Sequence, residues 1–339
     1  MKQHTVEPFY FPTTVTFVDD SAPFLSNISL QVKSELAFQL YHSPFAALAA
    51  LNHDAGIPPS DSELFSLYRY REDASYADHI IQVRLDKIHR EIHNAQRFDH
   101  VSVVVVDYDM PEMNGLEFCR QLTNSSIKKI LLTGKADEQI AVSAFNAKTI
   151  DRFIRKQDTN AMALLNKTIA ELQTEYFQDV EKTLSRAMSV GSHLFLRNTA
   201  FVERFQEIQQ QLGIVEHYLT CGPNGLLMLD AVGTSYLLLV QDDAGLQEVY
   251  EIAFDQAAPP ELLAQLRSGR FLPYFWQTNG HYAPIYDNWQ SYLHPATKLE
   301  GPHSYSYAIV KNPDGFNLKY VQSYSNYLDQ LDINQPLAT

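Results

Sequence analysis

Five side chains, far apart along the chain, carry types that can do chemistry together. Asp19 and Asp20 are adjacent carboxylates that follow the apolar run Thr14–Val18, and Asp107 follows the four valines Val103–Val106. Thr133 follows Ile130–Leu132, and Lys156 comes just after Arg152–Ile154. Oxygen ligands gathered from Asp19, Asp20 and Asp107 suit a small hard cation, and Mg2+ fits such a set. The cation offsets the mutual repulsion of the carboxylates and neutralises phosphate oxygens during in-line phosphoryl transfer. Asp107 would then be the nucleophile, carrying the phosphoryl group as an acyl phosphate. Thr133 would hydrogen-bond to the phosphoryl oxygens and Lys156 would ion-pair with them.

To bring these residues together the chain needs strands that end at one edge. Thr14–Val18, Leu36–Tyr41, Val103–Val106, Ile130–Leu132 and Arg152–Ile154 read as strands, each trailed by a helix: Phe24–Val32, Pro44–Leu51, Leu116–Leu122 and Glu138–Phe145 among them. The valine run is too short for a helix interior and typical of a strand covered on both faces. Strands alternating with helices predict an α/β fold with a doubly wound, five-stranded parallel sheet. The polar residues then collect at the carboxyl ends of the strands, where ligands of open α/β sheets bind.

The segments Phe17-Val18-Asp19-Asp20, Val106-Asp107-Tyr108-Asp109-Met110-Pro111-Glu112-Met113-Asn114-Gly115, Thr133-Gly134 and Lys156 resemble the receiver domain of two-component response regulators. The resemblance covers residues 13–158 apart from an unusual segment, and its D-x-x-M-P-x-M-x-G run is far more specific than a lone glycine-rich motif. It implies that Asp107 is the phosphoacceptor and that Asp19 and Asp20 are the metal-binding pair, with the backbone carbonyl of Asp109 as a further ligand. It also implies that Thr133 is the switch hydroxyl, Lys156 the phosphate-binding lysine and Phe153 the rotating aromatic. Mg2+ as cofactor, a sensor histidine kinase or phosphotransfer protein as partner, and bacterial phosphorelay signalling come with it. Two features depart from the family pattern. Gln157 stands where a proline usually follows the lysine, and the acidic pair lies further from Asp107 than is usual. The second is explained by residues 56–98, expected as a helical insertion: Ser60-Asp61-Ser62-Glu63 can cap a helix, and Ile81, Leu85, Ile88 and Ile92 recur at helical spacing. His89 and His93, four apart, lack a third ligand and read as a solvated helix edge. Cys119 and Cys221 read as small core residues.

Residues 160–188 form one helical pattern, with Leu165, Ile169, Leu172, Tyr176, Val180 and Leu184 as its apolar stripe. The last receiver helix and a connector are therefore placed at 159–190, an α+β output domain at 191–332, and tails at 1–12 and 333–339. The stripe near the receiver must be buried against the domain itself or a second chain, which makes a homodimer the expected assembly. In the output domain Ala200–Gln211, Leu246–Phe254 and Pro260–Leu266 read as helices, and Glu216–Cys221, Leu226–Leu229 and Ser235–Val240 as an antiparallel meander. Tyr305–Val310 and Phe316–Gln322 read as two further strands joined through Asn312-Pro313-Asp314-Gly315. The segment from Phe271 to Tyr327 is dense in aromatics, which read as core before they read as a pocket or partner surface.

The 339 residues carry 26 basic against 40 acidic side chains, and from Glu181 onward nine basic against sixteen acidic. A DNA-reading output needs cations for phosphates and a helix for the groove, so direct DNA binding is not expected. No cyclic-dinucleotide, phosphohydrolase, G-x-S-x-G or P-loop signature is present. No apolar run approaches the ~20 residues that span a bilayer, no secretory h-region follows Met1, and two cysteines cannot build a disulfide framework, which points to the cytoplasm. The layout resembles the quorum-sensing response regulators of α-hydroxyketone systems. The output is expected to act through protein or small-ligand contacts. The alternatives are a receiver-gated enzyme with an unrecognised catalytic domain, or a transcription regulator that needs a DNA-binding partner.

Overall fold

The computed structural model describes residues 5–53, 64–68, 80–134, 138–180, 182, 184, 193–301 and 303–334. In chain order the elements are β1 (Phe9–Tyr10), β2 (Thr14–Val18), α1 (Ala22–Gln31), β3 (Phe38–Tyr41), α2 (Pro44–Leu51), β4 (Phe65–Tyr68), β5 (Ile80–Val83) and α3 (Asp86–Arg90). There follow β6 (Val101–Asp107), α4 (Gly115–Gln121), β7 (Lys128–Thr133), α5 (Glu138–Asn146), β8 (Arg152–Arg155) and α6 (Ala161–Val180). The remainder is α7 (Thr199–Leu212), β9 (Ile214–Cys221), β10 (Asn224–Asp230), β11 (Ser235–Asp242), α8 (Asp243–Asp255), α9 (Pro260–Arg267), β12 (Phe271–Pro273), β13 (Leu293–Pro295), β14 (Thr297–Leu299), β15 (Tyr305–Lys311) and α10 (Tyr324–Asn334). Two compact units share them: Pro12–Pro58 with Gln96–Val180 and Asn326–Thr339, and Met1–Phe11 with Pro59–Ala95 and Glu181–Ser325.

In the first unit five parallel strands lie in the order β3-β2-β6-β7-β8, the expected doubly wound sheet. Every residue of β6 is buried, because both faces of the sheet are covered. Val104 and Val106 face a core with Leu116, Phe118, Ala141 and Ile150, while Val103 and Val105 join Leu25, Ile28 and Ile154. The α6 stripe closes the second face. Leu165, Ile169 and Leu172 are buried among those side chains, so they offer nothing to a second chain. Arg152 Nη2 pairs with Glu175 Oε1 at 2.8 Å, and Lys128 with Asp179, fastening α6 to the sheet. The helix expected over 160–188 is described as Ala161–Val180, and most of 181–192 lies outside the described residues. At the opposite edge from the strand ends, Thr14 Oγ1 gives its hydrogen to Phe98 O at 2.8 Å and lies 3.0 Å from Tyr327 Oη of α10.

The second unit is built on an antiparallel sheet of order β1-β9-β10-β11-β15-β14, with β12 and β13 as a separate pair. The α+β output expected from the turn signals is therefore present, with the meander β9-β10-β11 in register from Asn224↔Cys221 to Gly225↔Leu239. Most aromatics of the dense segment form core: Phe275, Tyr282 and Tyr286 pack with Val249 and Leu262 of α8 and α9. His217 on β9 is wholly buried, and desolvation pushes its pKa down to about 4.

Four local expectations are corrected. Of the tail placed at 1–12, the described part is ordered into the fold: Phe9 and Tyr10 pair with Tyr218 and His217, and Phe9 and Phe11 are buried, while residues 1–4 lie outside the described residues. The 56–98 insertion is not wholly helical. β4 and β5 pair antiparallel (Phe65↔Val83 to Tyr68↔Ile80) ahead of the short α3, because the β-branched run Ile80-Ile81-Gln82-Val83 favours extended backbone. Ser60–Glu63 lies outside the described residues. Phe316–Gln322 is not a strand, since Gly315 (φ +91°) and Asn317 (φ +53°) are left-handed and turn the chain into a short 3-10 helix, Leu318–Tyr320. Of the tail placed at 333–339, Ile333 and Asn334 belong to α10, and residues 335–339 lie outside the described residues.

Candidate functional site

Asp19 and Asp107 leave the carboxyl ends of β2 and β6, neighbouring strands between which the strand order reverses. That reversal opens the crevice where open α/β sheets hold ligands. The motif after Asp107 builds the rest of the rim. Met110 and Met113 are buried and anchor the loop, Ser43 Oγ donates to Glu112 Oε2 at 3.1 Å, and Asn114 Oδ1 caps α4 by accepting from Glu117 N–H at 2.9 Å. Gly115 is obligatory: a Cβ there would fall 2.3 Å from the Asp107 carbonyl oxygen. The same tight approach lets Gly115 N–H bond Tyr108 O at 2.9 Å.

The five predicted side chains converge as follows. Asp19, Asp20 and Asp107 can each offer an oxygen, all within 4.8 Å of one another, with Asp19 and Asp107 buried and Asp20 exposed. Such an all-carboxylate donor set fits Mg2+ by its chemistry. Lys156 Nζ bridges two of the three, donating to Asp19 Oδ2 at 2.7 Å and lying 2.9 Å from Asp107 Oδ2. Ser21 N–H donates to Asp19 Oδ1 at 2.9 Å, which fixes that carboxylate at the start of α1. Burial pushes the Asp107 carboxyl above its ordinary range, a push that Asp19 adds to and the hydrogen bond and charge of Lys156 oppose.

Thr133 is fully buried at the end of β7, and its hydroxyl has no hydrogen-bond partner among the described residues. Lys156 N–H bonds Thr133 O at 3.0 Å, so Gln157 in place of proline leaves the lysine at the site. Phe153 on β8 is half-buried against the core face that holds Ala141 and Ala144 of α5, and Arg155 Nη2 pairs with Glu138 Oε1 at 2.9 Å to tie β8 to the start of that helix. Asp109 lies in the loop leaving β6, two residues beyond Asp107. His89 and His93 join no metal-ligating group among the described residues.

Two contacts escaped the sequence reading. One is Ser21 on Asp19; the other is the Phe24 ring, whose centroid lies 4.2 Å from Lys156 Nζ. An aromatic in the first turn after an acidic pair is the only signal the sequence holds for the latter.

Residues 77–167 match the family described as the response regulator receiver domain. The structure of the Legionella pneumophila response regulator LqsR aligns over 99% of this chain and 100% of its own, with 36% sequence identity and a TM-score of 0.79. The chain belongs to the response regulators. A second relative, the cyclic di-GMP phosphodiesterase response regulator RpfG of Xanthomonas campestris, is 28% identical over 165 residues, 47% of this chain. This response regulator therefore spans only 41% of that protein's length. The family match to the receiver includes Asp107, Thr133, Phe153 and Lys156, whereas Asp19 and Asp20 precede it and join the site through the pairing of β2 with β6. Among the described residues no helix is long and apolar enough to cross a membrane.

Proposed function

We propose that Asp107 of this response regulator accepts a phosphoryl group from the phosphohistidine of a sensor kinase or phosphotransfer protein. The observation that carries the reading is the cluster of three carboxylates bridged by Lys156 at the strand ends. A carboxylate oxygen of Asp107 attacks phosphorus in line. The P–N bond breaks, the imidazole nitrogen leaves with its electron pair and takes a proton, and an acyl phosphate remains. Lys156 then pairs with a phosphoryl oxygen, and the Thr133 hydroxyl, buried without an acceptor among the described residues, donates to another. Asp19, Asp20 and Asp107, with the Asp109 carbonyl, would hold Mg2+, which when bound neutralises the phosphoryl oxygens. Movement of Thr133 toward the phosphate leaves space that Phe153 fills, altering the surface of β8 and α5.

The output unit acts through a protein or small ligand rather than DNA, supported by its nine basic against sixteen acidic residues from Glu181 onward. The likeness to α-hydroxyketone quorum-sensing regulators supports a role in that signalling. Unpaired Cys119 and Cys221 suit a reducing cytoplasm. A second copy of the chain is a further partner: Ile140, Val142 and Phe145 of α5 are exposed apolar side chains on the helix beside Phe153.

The test is incubation with acetyl phosphate and Mg2+. Wild type should yield an acid-stable, base-labile phosphoprotein and Asp107→Asn none; equal labelling of both defeats the assignment. Sedimentation with and without a phosphoryl analogue should show stronger self-association in the activated state, and identical profiles over a wide concentration range count against the dimer.

A further inference from the structure

The cation at the centre of the site has a neighbour that phosphoryl transfer itself does not use. Lys156 Nζ lies over the face of Phe24, 4.2 Å from the ring centroid, while reaching Asp19 Oδ2 at 2.7 Å and Asp107 Oδ2 at 2.9 Å. The residue is fixed at two points, one on its backbone and one on its ring. Ser21 caps α1 by accepting from Phe24 N–H, and the half-buried side chain packs on the core that includes Leu25, Ile154 and Leu165. An ammonium has three hydrogens to place, and two carboxylates account for two of them. An aromatic face attracts the third through its quadrupole yet offers no anion that competes with an arriving phosphoryl oxygen.

We propose that Phe24 is a positioning residue for Lys156, holding the ammonium at Asp107 while its ion pair passes from the carboxylate to the phosphoryl group. This rests on Asp107 being the phosphoacceptor. Without the ring, the four-carbon stem of a lysine only 23% exposed is freer to swing its charge toward solvent.

The experiment measures the initial rate of labelling by acetyl phosphate and Mg2+ in the full-length chain. Phe24→Leu keeps an apolar side chain but loses the quadrupole and should slow labelling about three- to tenfold. Phe24→Tyr should restore it. Mono-, di- and trifluorophenylalanine at position 24 withdraw electron density with little change of shape, so the rate should fall stepwise along that series. A second readout needs neither metal nor phosphate: in selectively labelled, metal-free protein the ε-methylene of Lys156 should resonate upfield under the ring current, and lose that shift in Phe24→Leu. A flat fluorine series overturns the proposal even if the leucine variant is slow, because the ring would then act by packing alone. An unshifted ε-methylene in wild type overturns it as well. Labelling of Asp107→Asn would instead refute the acceptor assignment, so the two failures are told apart.

Discussion

Asp107 sits in an electrostatic conflict that a stable fold does not need. Burial raises its pKa above the ordinary 3.8, and the hydrogen bond from Lys156 only partly offsets this. A carboxyl raised in the folded state gives stability that is complete below its unfolded pKa and is lost as pH rises through the folded value. At neutral pH the charged, metal-free site therefore costs stability. Asp107→Asn is expected to melt higher than wild type at pH 7 without Mg2+, by about 2–4 °C per kcal/mol relieved, with the gap closing toward pH 4. Added Mg2+ should raise wild type more than the variant; scanning calorimetry at both pH values checks each point. The five clustered side chains were legible in the sequence because such types at strand ends are unusual wherever they occur. Phe24 and Ser21 were not, since a phenyl ring and a backbone N–H acquire a role only from where α1 turns them.

At the scale of the element, the loop from Asp107 to α4 shows why a short motif can specify a geometry. Two methionines anchor it, one asparagine caps the helix, and one glycine lets that helix start against the carbonyl of β6. Gly115→Ala would drive a methyl into Asp107 O at 2.3 Å and Leu131 Cδ1 at 2.9 Å, neither of which can yield without moving β6 or the core. The variant should lose about 1–3 kcal/mol in urea unfolding. If Asp107 accepts the phosphoryl group as proposed, the variant should also label more slowly than wild type, because the displaced backbone carries that carboxylate. Strands and helices of the parallel sheet could be read from apolar runs and spacing, as with Val103–Val106. The insertion could not. Ile81, Leu85, Ile88 and Ile92 keep helical spacing, yet β-branching places Ile81 in a strand, and only Ile88 and Ile92 are buried beyond the turn. Local propensity and periodicity disagreed there, and pairing with β4 decided between them.

At the scale of the molecule, the chain crosses between its units at residues 11/12, 58/59, 95/96, 180/181 and 325/326. No local signal announces such crossings: the one at 180/181 falls inside a stripe that reads as continuous helix, and the one at 325/326 lies within α10. The N-terminal segment is the clearest case: Leu219 N–H bonds Pro8 O at 2.7 Å, and His217 Nε2 lies 2.9 Å from Glu7 O. Removing Met1–Phe11 would expose β9, leave the buried His217 without that acceptor and delete two buried phenylalanines worth about 1.5–3 kcal/mol each. The shortened chain should show a lower melting temperature and faster tryptic cleavage after residue 193, while cleavage within 96–180 changes less. The same threading constrains how this protein can diversify. Recombination exchanges continuous stretches of a gene, and any stretch long enough to carry the antiparallel sheet from β1 to β15 carries β2, β6 and the carboxylate cluster too. An exchange confined to the stretch from β9 to β15 would leave β1 facing whatever strand replaced β9, so an incoming output has to supply an edge that the N-terminal strand fits.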